Sequence, residues 1–218
     1  MEYTQHICLF FLASLVTFCS TSQNNTTTDD KTVTFASIPS NGFTSLLNGK
    51  DLAGWHTVTD GNGPDSLALF TFENGAIHAY PNQIGGSLQS FAGLVTDKEY
   101  GSYHLTFEFR GARASTKVEA SEHYDPKGEL RTKGELENKY HRFSRFYSWE
   151  VPGWNKVEVE VNGDHATFTI NGKLVNEAID MKYWDADMES WQPLTKGKIL
   201  LQAEGAEIFY RNVFIKTL

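Results

Sequence analysis

The chain has 218 residues, 40% hydrophobic and 13% aromatic, a length at which an all-β sandwich routinely forms a single domain. Its formal charge of −8, with no basic stripe (Arg142 and Arg145 lie scattered among aromatics), disfavours a nucleic-acid partner, which needs clustered Lys and Arg. The two cysteines are Cys8 and Cys19, so thiol catalysis and cysteine-ligated zinc are excluded for everything beyond residue 19.

The first segment reads as an export signal over residues 1–19. Ile7–Phe18 is an apolar run of signal-core length, too short to span a bilayer. Cys19 follows it directly and precedes STSQNNTTTDDKT, a polar stem over residues 20–34 that has nothing to bury. The arrangement resembles a bacterial lipoprotein, with Cys19 as the acylated residue. It predicts an exported protein, periplasmic or on the outer membrane, that touches a membrane only through that lipid. Ordinary secretion is the alternative, and Phe18 stands where a lipoprotein signal prefers a small residue.

One folded domain is expected over 35–218. Asn48-Gly49 marks a turn before Leu52 and Trp55, and Leu67–Phe72 with Ala76–Tyr80 reads as a hairpin around Glu73-Asn74-Gly75. In Tyr103–Arg110, Leu105, Phe107 and Phe109 alternate with Thr106, Glu108 and Arg110, the period of a half-buried strand. Gly111–Tyr140 is charge-mixed and poor in large apolar residues, which suits a solvated loop or an edge hairpin. Trp154–Asn176 is the plainest segment. Val157, Val159 and Val161 alternate with acids, Asn162-Gly163 turns the chain, Thr167–Ile170 returns, and Asn171-Gly172 turns it again. Ile179–Trp191 is expected to hold at most a helical turn or two, and Gly197–Glu204 with Glu207–Lys216 to close the domain as a hairpin. Short strands on tight turns, without long amphipathic helices, predict a two-sheet antiparallel β-sandwich.

Three blocks carry a family likeness: GFTSLLNGKDLAGWH (Gly42–His56), GWNKVEVEVNGDHATFTINGKLVN (Gly153–Asn176) and GKILLQAEGAEIFYRNVFIKTL (Gly197–Leu218). With the strand YHLTFEFR they resemble, in order and spacing, the 3-keto-disaccharide hydrolase domain, also described as a 3-keto-glucoside lyase/hydratase. The resemblance implies a concanavalin A-like jelly roll. The chain departs from the family after Arg110, where GARASTKVEASEHYD replaces an Asn/Asp-Ser/Ala-Gly strand and a following Glu-x-Gln strand.

The resemblance also implies a substrate, a small carbohydrate already oxidised at its third carbon. The ketone acidifies the C2 proton, a base removes it, an Arg or a divalent cation stabilises the enolate, and an acid protonates the departing oxygen. A cofactor is otherwise unspecified. Glu108 and Arg110, on one strand face, are candidates for base and anion stabiliser, with an ordinary surface ion pair as the alternative. Arg211 is a third catalytic candidate, the alternative being pairing with Glu204. Gln202 and Glu204 are candidates for binding sugar hydroxyls, Trp55 for stacking and His56 or His123 for acid–base work. All but Trp55, His56 and His123 are expected on one concave sheet. Asp185, Asp187 and Glu189 offer oxygen ligands for calcium, though a solvated acidic loop fits them better. No phosphate loop, His-Glu-x-x-His, nucleophile elbow or laminarinase-type Glu-x-Asp-x-x-Glu is present. Besides catalysis, the sequence suits a carbohydrate-binding module that has lost it, or a subunit of an outer-membrane glycan-handling assembly.

Overall fold

The computed structural model describes residues 6–7, 39, 41–59, 69–81, 91–111, 131–133, 136–138, 140–143, 150–203 and 207–218. Among them are seventeen strands and no helix. The first half comprises β1 (His6–Ile7), β2 (Thr44–Ser45), β3 (Trp55–Thr59), β4 (Phe70–Glu73), β5 (Ala76–Ala79), β6 (Ala92–Thr96) and β7 (Tyr103–Gly111). Then come β8 (Arg131–Lys133), β9 (Leu136–Asn138), β10 (Tyr140–Phe143), β11 (Asn155–Asn162), β12 (His165–Ile170) and β13 (Lys173–Ile179). The last four are β14 (Lys182–Asp185), β15 (Ser190–Pro193), β16 (Lys198–Ala203) and β17 (Ile208–Thr217).

The large sheet runs β10-β13-β12-β11-β7-β17-β5-β4, with β2 also on β17; the small sheet runs β1-β16-β6-β3, and β15-β14-β9-β8 form a third. All pairings are antiparallel except that of β1, which lies parallel to β16. Large and small sheets face each other as a β-sandwich. Tyr103, Leu105, Phe107, Val157, Val159 and Val161 of one meet Leu94, Ile199, Leu201 and Ala203 of the other in a single buried cluster. Two tyrosines of the large-sheet side also tie the layers. The Tyr80 hydroxyl donates to the Ala203 carbonyl at 2.7 Å, and that of Tyr210 donates to the Gln202 carbonyl. Burial pushes the Tyr210 hydroxyl pKa up, so it remains a donor.

The turns follow from local chemistry. Asn74 and Gly75 (φ 50° and 76°), like Asn171 and Gly172 (φ 49° and 78°), are the paired positive-φ residues of a two-residue hairpin loop. The predicted strands at 76–80, 103–110 and 157–170 form with nearly those bounds. Within Gly111–Tyr140, β8 and β9 pair as a hairpin joined to β14.

Two expectations are corrected. The closing strands β16 and β17 are not a hairpin. β17 has β7 along one edge and β5 and β2 along the other, so no edge is left and β16 pairs with β6 in the opposite sheet. The segment expected to turn helically is instead the β14–β15 hairpin, where Tyr183, Trp184 and Trp191 favour extended backbone. Its turn is closed by Asp185 Oδ1, which accepts from the N–H groups of Asp187 and Met188, both at 3.0 Å. Trp184 and Trp191 meet edge to face across it.

Candidate functional site

Alternation along β7 and β17 sends every second side chain to the face of the large sheet turned away from the core. Glu108 stands opposite Arg211, and Arg110 opposite Phe209, which in turn faces His78 on β5. Arg211 Nε–H donates to Glu108 Oε2 at 2.6 Å, and Asn212 Nδ2–H donates to the same oxygen at 2.9 Å. Two consecutive residues of a regular strand cannot share a face. Here a β-bulge between Arg211 and Phe214, with Asn212 in the left-handed region (φ 54°), turns both donors towards one carboxylate. Glu108 Oε1 has no protein partner among the described residues.

Trp154 completes this cluster. The guanidinium carbons of Arg211 and Arg110 lie 3.9 and 5.0 Å from its ring centroid, and that of Arg110 is also 4.7 Å from the Phe209 ring. The indole is held by a local lock. Buried Asn155 accepts from Val151 N–H at 2.7 Å and from Asn171 Nδ2 at 2.9 Å, and donates to the carbonyls of Val151 and Gly153 at 3.0 and 3.2 Å. Gly153 (φ 92°) makes the bend just before Trp154.

Further along the face, the His78 ring stacks on Phe209 with centroids 4.1 Å apart and 19° between planes. Its Nδ1 meets Glu73 Oε1 and its Nε2 meets Glu207 Oε1. By strand spacing, His78 and Glu108 are offset by about 10 Å across two strand spacings and about 7 Å along the strands.

The structure therefore gathers Glu108, Arg110 and Arg211 but separates Gln202, Trp55 and His56 from them. Among the described residues Glu108 pairs with Arg211 and not with Arg110. Gln202 belongs to the small sheet, opposite Gly93, with its side chain on that sheet's outer face; a single sheet carrying all five residues is thus corrected. Trp55 is core. It is 8% exposed and its Nε1–H donates to the Leu46 carbonyl at 2.9 Å, so it offers no stacking surface. His56, next in the alternation, points outward from the small sheet and pairs with Asp97 at 2.8 Å, on the far side of the sandwich from Glu108. Glu204, His123 and Cys19 lie outside the described residues, as does the stem.

Asn212, Trp154, Asn155, Phe209, His78, Glu73 and Glu207 were not singled out by sequence reasoning. Arg-Asn and Gly-Trp-Asn were visible as family phrases, but the His78 cluster joins residues far apart in the chain and has no local signature. Among the described residues no group of three or more His, Cys, Asp or Glu side chains is placed to hold a metal ion.

Residues 42–216 match the family model of the 3-keto-alpha-glucoside-1,2-lyase-like domain, and the chain belongs to that family. A carbohydrate-related function comes with that membership. No curated protein matches the chain. Among solved structures, two from Parabacteroides distasonis ATCC 8503, provisionally assigned as glycosyl hydrolases, are similar. The first shares 20% identity, with 81% of this chain and 94% of that one covered and a TM-score of 0.46. The second shares 18%, with 82% and 100% covered and a TM-score of 0.45. The carbohydrate-binding module CBM66 of Bacillus subtilis shares 13%, with 75% and 96% covered and a TM-score of 0.42.

Proposed function

We propose that this member of the 3-keto-alpha-glucoside-1,2-lyase-like family cleaves 3-keto-glycosides on the outer face of its large sheet. The observation that carries the reading is the Glu108 carboxylate, fixed through Oε2 by Arg211 and Asn212 while Oε1 has no partner among the described residues. Held this way, Glu108 is aimed as a base. Oε1 takes the C2 proton of the bound sugar, and the C2–H electrons pass into the C3 carbonyl, whose oxygen becomes an enolate. The Arg211 guanidinium beside it supplies fixed positive charge where that negative charge develops. Collapse of the enolate forms the C1–C2 double bond, breaks the C1–O bond and sends the departing oxygen out with a proton. The Glu73–His78–Glu207 cluster stands across the sheet as the proton source. Water then adds over the double bond, hydroxyl to C1 and hydrogen to C2, giving the free 3-keto sugar.

Arg110 and Trp154 bind the ligand rather than the reacting carbons. Arg110 is two residues from Glu108, about 7 Å along the strand, the distance of a neighbouring part of the sugar or its aglycone. Export and a lipid anchor at Cys19 belong to the same reading, since glycoside substrates would then be met outside the cytoplasm.

The test is NMR of the full chain with a panel of 3-keto-glucosides. Release of 3-keto-glucose or a 2-hydroxyglycal by the wild type, and its loss in Glu108→Gln with sugar binding intact, supports the reading. Sugar binding without turnover of any member would replace it with a non-catalytic carbohydrate-binding module.

A further inference from the structure

We infer that the ligand of this face carries an anionic group, a carboxylate or a sulfate or phosphate ester, and that Arg110 binds it; the inference rests on the site proposed above. On a chain with a formal charge of −8, this face sets three carboxylates, Glu108, Glu73 and Glu207, against Arg211, Arg110 and His78. Glu108 is taken by Arg211 and Asn212. Glu73 and Glu207, on the other side of Phe209, are both taken by His78. Arg110, lying between these two sets, is exposed and has no carboxylate partner among the described residues.

Its guanidinium is nonetheless held in place. It lies over the Trp154 ring at 5.0 Å and the Phe209 ring at 4.7 Å, and these contacts orient a planar group without using its N–H donors. A pre-oriented fork whose donors meet no carboxylate among the described residues fits a carboxylate or an ester of sulfate or phosphate in two-pronged geometry. The indole beside it offers an apolar surface to the sugar bearing that group. The offset from Glu108 separates the two tasks: the base works at C2 while Arg110 holds an acid on the far side of the same ring, or on the aglycone. Acidic saccharides, uronate-type or esterified, are the ligand class this arrangement selects.

The experiment compares ligand-observed NMR titrations of the full chain with three unoxidised probes that cannot react: methyl glucoside, methyl glucuronide and glucose 6-sulfate. The expected result is binding of one or both acidic probes at least about tenfold tighter than the neutral one. That margin falls away in Arg110→Gln and in high salt, and Arg110→Lys, which keeps the charge but not the fork, restores part of it. Preference for the glucuronide points to a carboxylate, and for the sulfate to an ester. Equal binding of all three probes, or an acidic preference that survives Arg110→Gln in a chain with unchanged thermal melting, overturns the inference. Turnover of neutral 3-keto-glucosides with no acidic preference would sink this proposal and spare the catalytic one. Acidic preference without any turnover would do the reverse.

Discussion

Asn155 is the residue whose removal tests how the face is held. Its amide makes four hydrogen bonds, two accepted from Val151 N–H and Asn171 Nδ2 and two donated to the carbonyls of Val151 and Gly153. Asn155→Ala removes all of them. A typical intramolecular hydrogen bond contributes about 1 kcal/mol net. Val151, Gly153 and Asn171 are exposed, so the groups freed there regain water and the net share of each bond shrinks. The loss is then about 1–2 kcal/mol in all, or about 2–8 °C in Tm for a domain of this size. Released from the lock, Trp154 no longer sits against Arg211, so sugar affinity falls by about tenfold, the equivalent of a single well-made contact. Urea denaturation gives the first quantity. Ligand titration and Trp154 emission, isolated by difference against Trp154→Phe, give the second. Asn155→Asp keeps the acceptor and should recover part of both. If Asn155→Ala melts within a degree of wild type and binds sugar equally well, the lock is incidental and the reasoning fails.

Other predictions follow from single features. A Cβ on Gly93 would lie 2.8 Å from Leu200 Cδ1 and 2.9 Å from Val58 Cγ2, so Gly93→Ala should destabilise by about 1–3 kcal/mol in denaturant titration. Tyr80→Phe removes a buried cross-sheet hydrogen bond of 2.7 Å and should cost about 1–2 kcal/mol, measured the same way. Burial raises the Glu150 carboxyl above its ordinary value of 4.5, so the folded chain holds this proton where the unfolded chain has released it. Stability should therefore fall as pH rises upward from the ordinary glutamate range, and Glu150→Gln should remove that component of the slope in melts taken across acid pH. His78→Gln should lower kcat on 3-keto-glucosides and change the shape of its pH profile, while leaving KM within a few-fold, if the Glu73–His78–Glu207 cluster supplies the proton.

What could be read from sequence was what repeats at short range. The alternation of Val157, Val159 and Val161 and the turns at Asn74-Gly75 and Asn171-Gly172 gave strands and hairpins with nearly their observed bounds, because period two and positive φ are local properties, while the turn expected at Asn162-Gly163 falls one residue later, at Gly163-Asp164. The same alternation at Trp55 and His56 was visible, but which of the two faced inward was not, since that depends on the sheet opposite. The pairing of β16 was also illegible: it was decided by which edges of β17 were already filled, a property of the whole topology. In the site, Glu108 and Arg110 could be placed together by their strand. Asn212 could not, because period two assigns it to the wrong face and only the bulge returns it. His78 and Glu207 are 129 positions apart, and nothing nearby in the chain links them.

The central claim is that Glu108 removes the C2 proton of a 3-keto sugar, and hydrogen–deuterium exchange at that carbon tests it most directly. A 3-keto-glucoside incubated with the full chain in D2O, followed by NMR, should lose its C2–H signal and yield 3-keto-glucose deuterated at C2. Both changes should vanish with Glu108→Gln. An intact C2–H signal in the presence of wild-type chain that demonstrably binds the sugar, or exchange undiminished in Glu108→Gln, would contradict it.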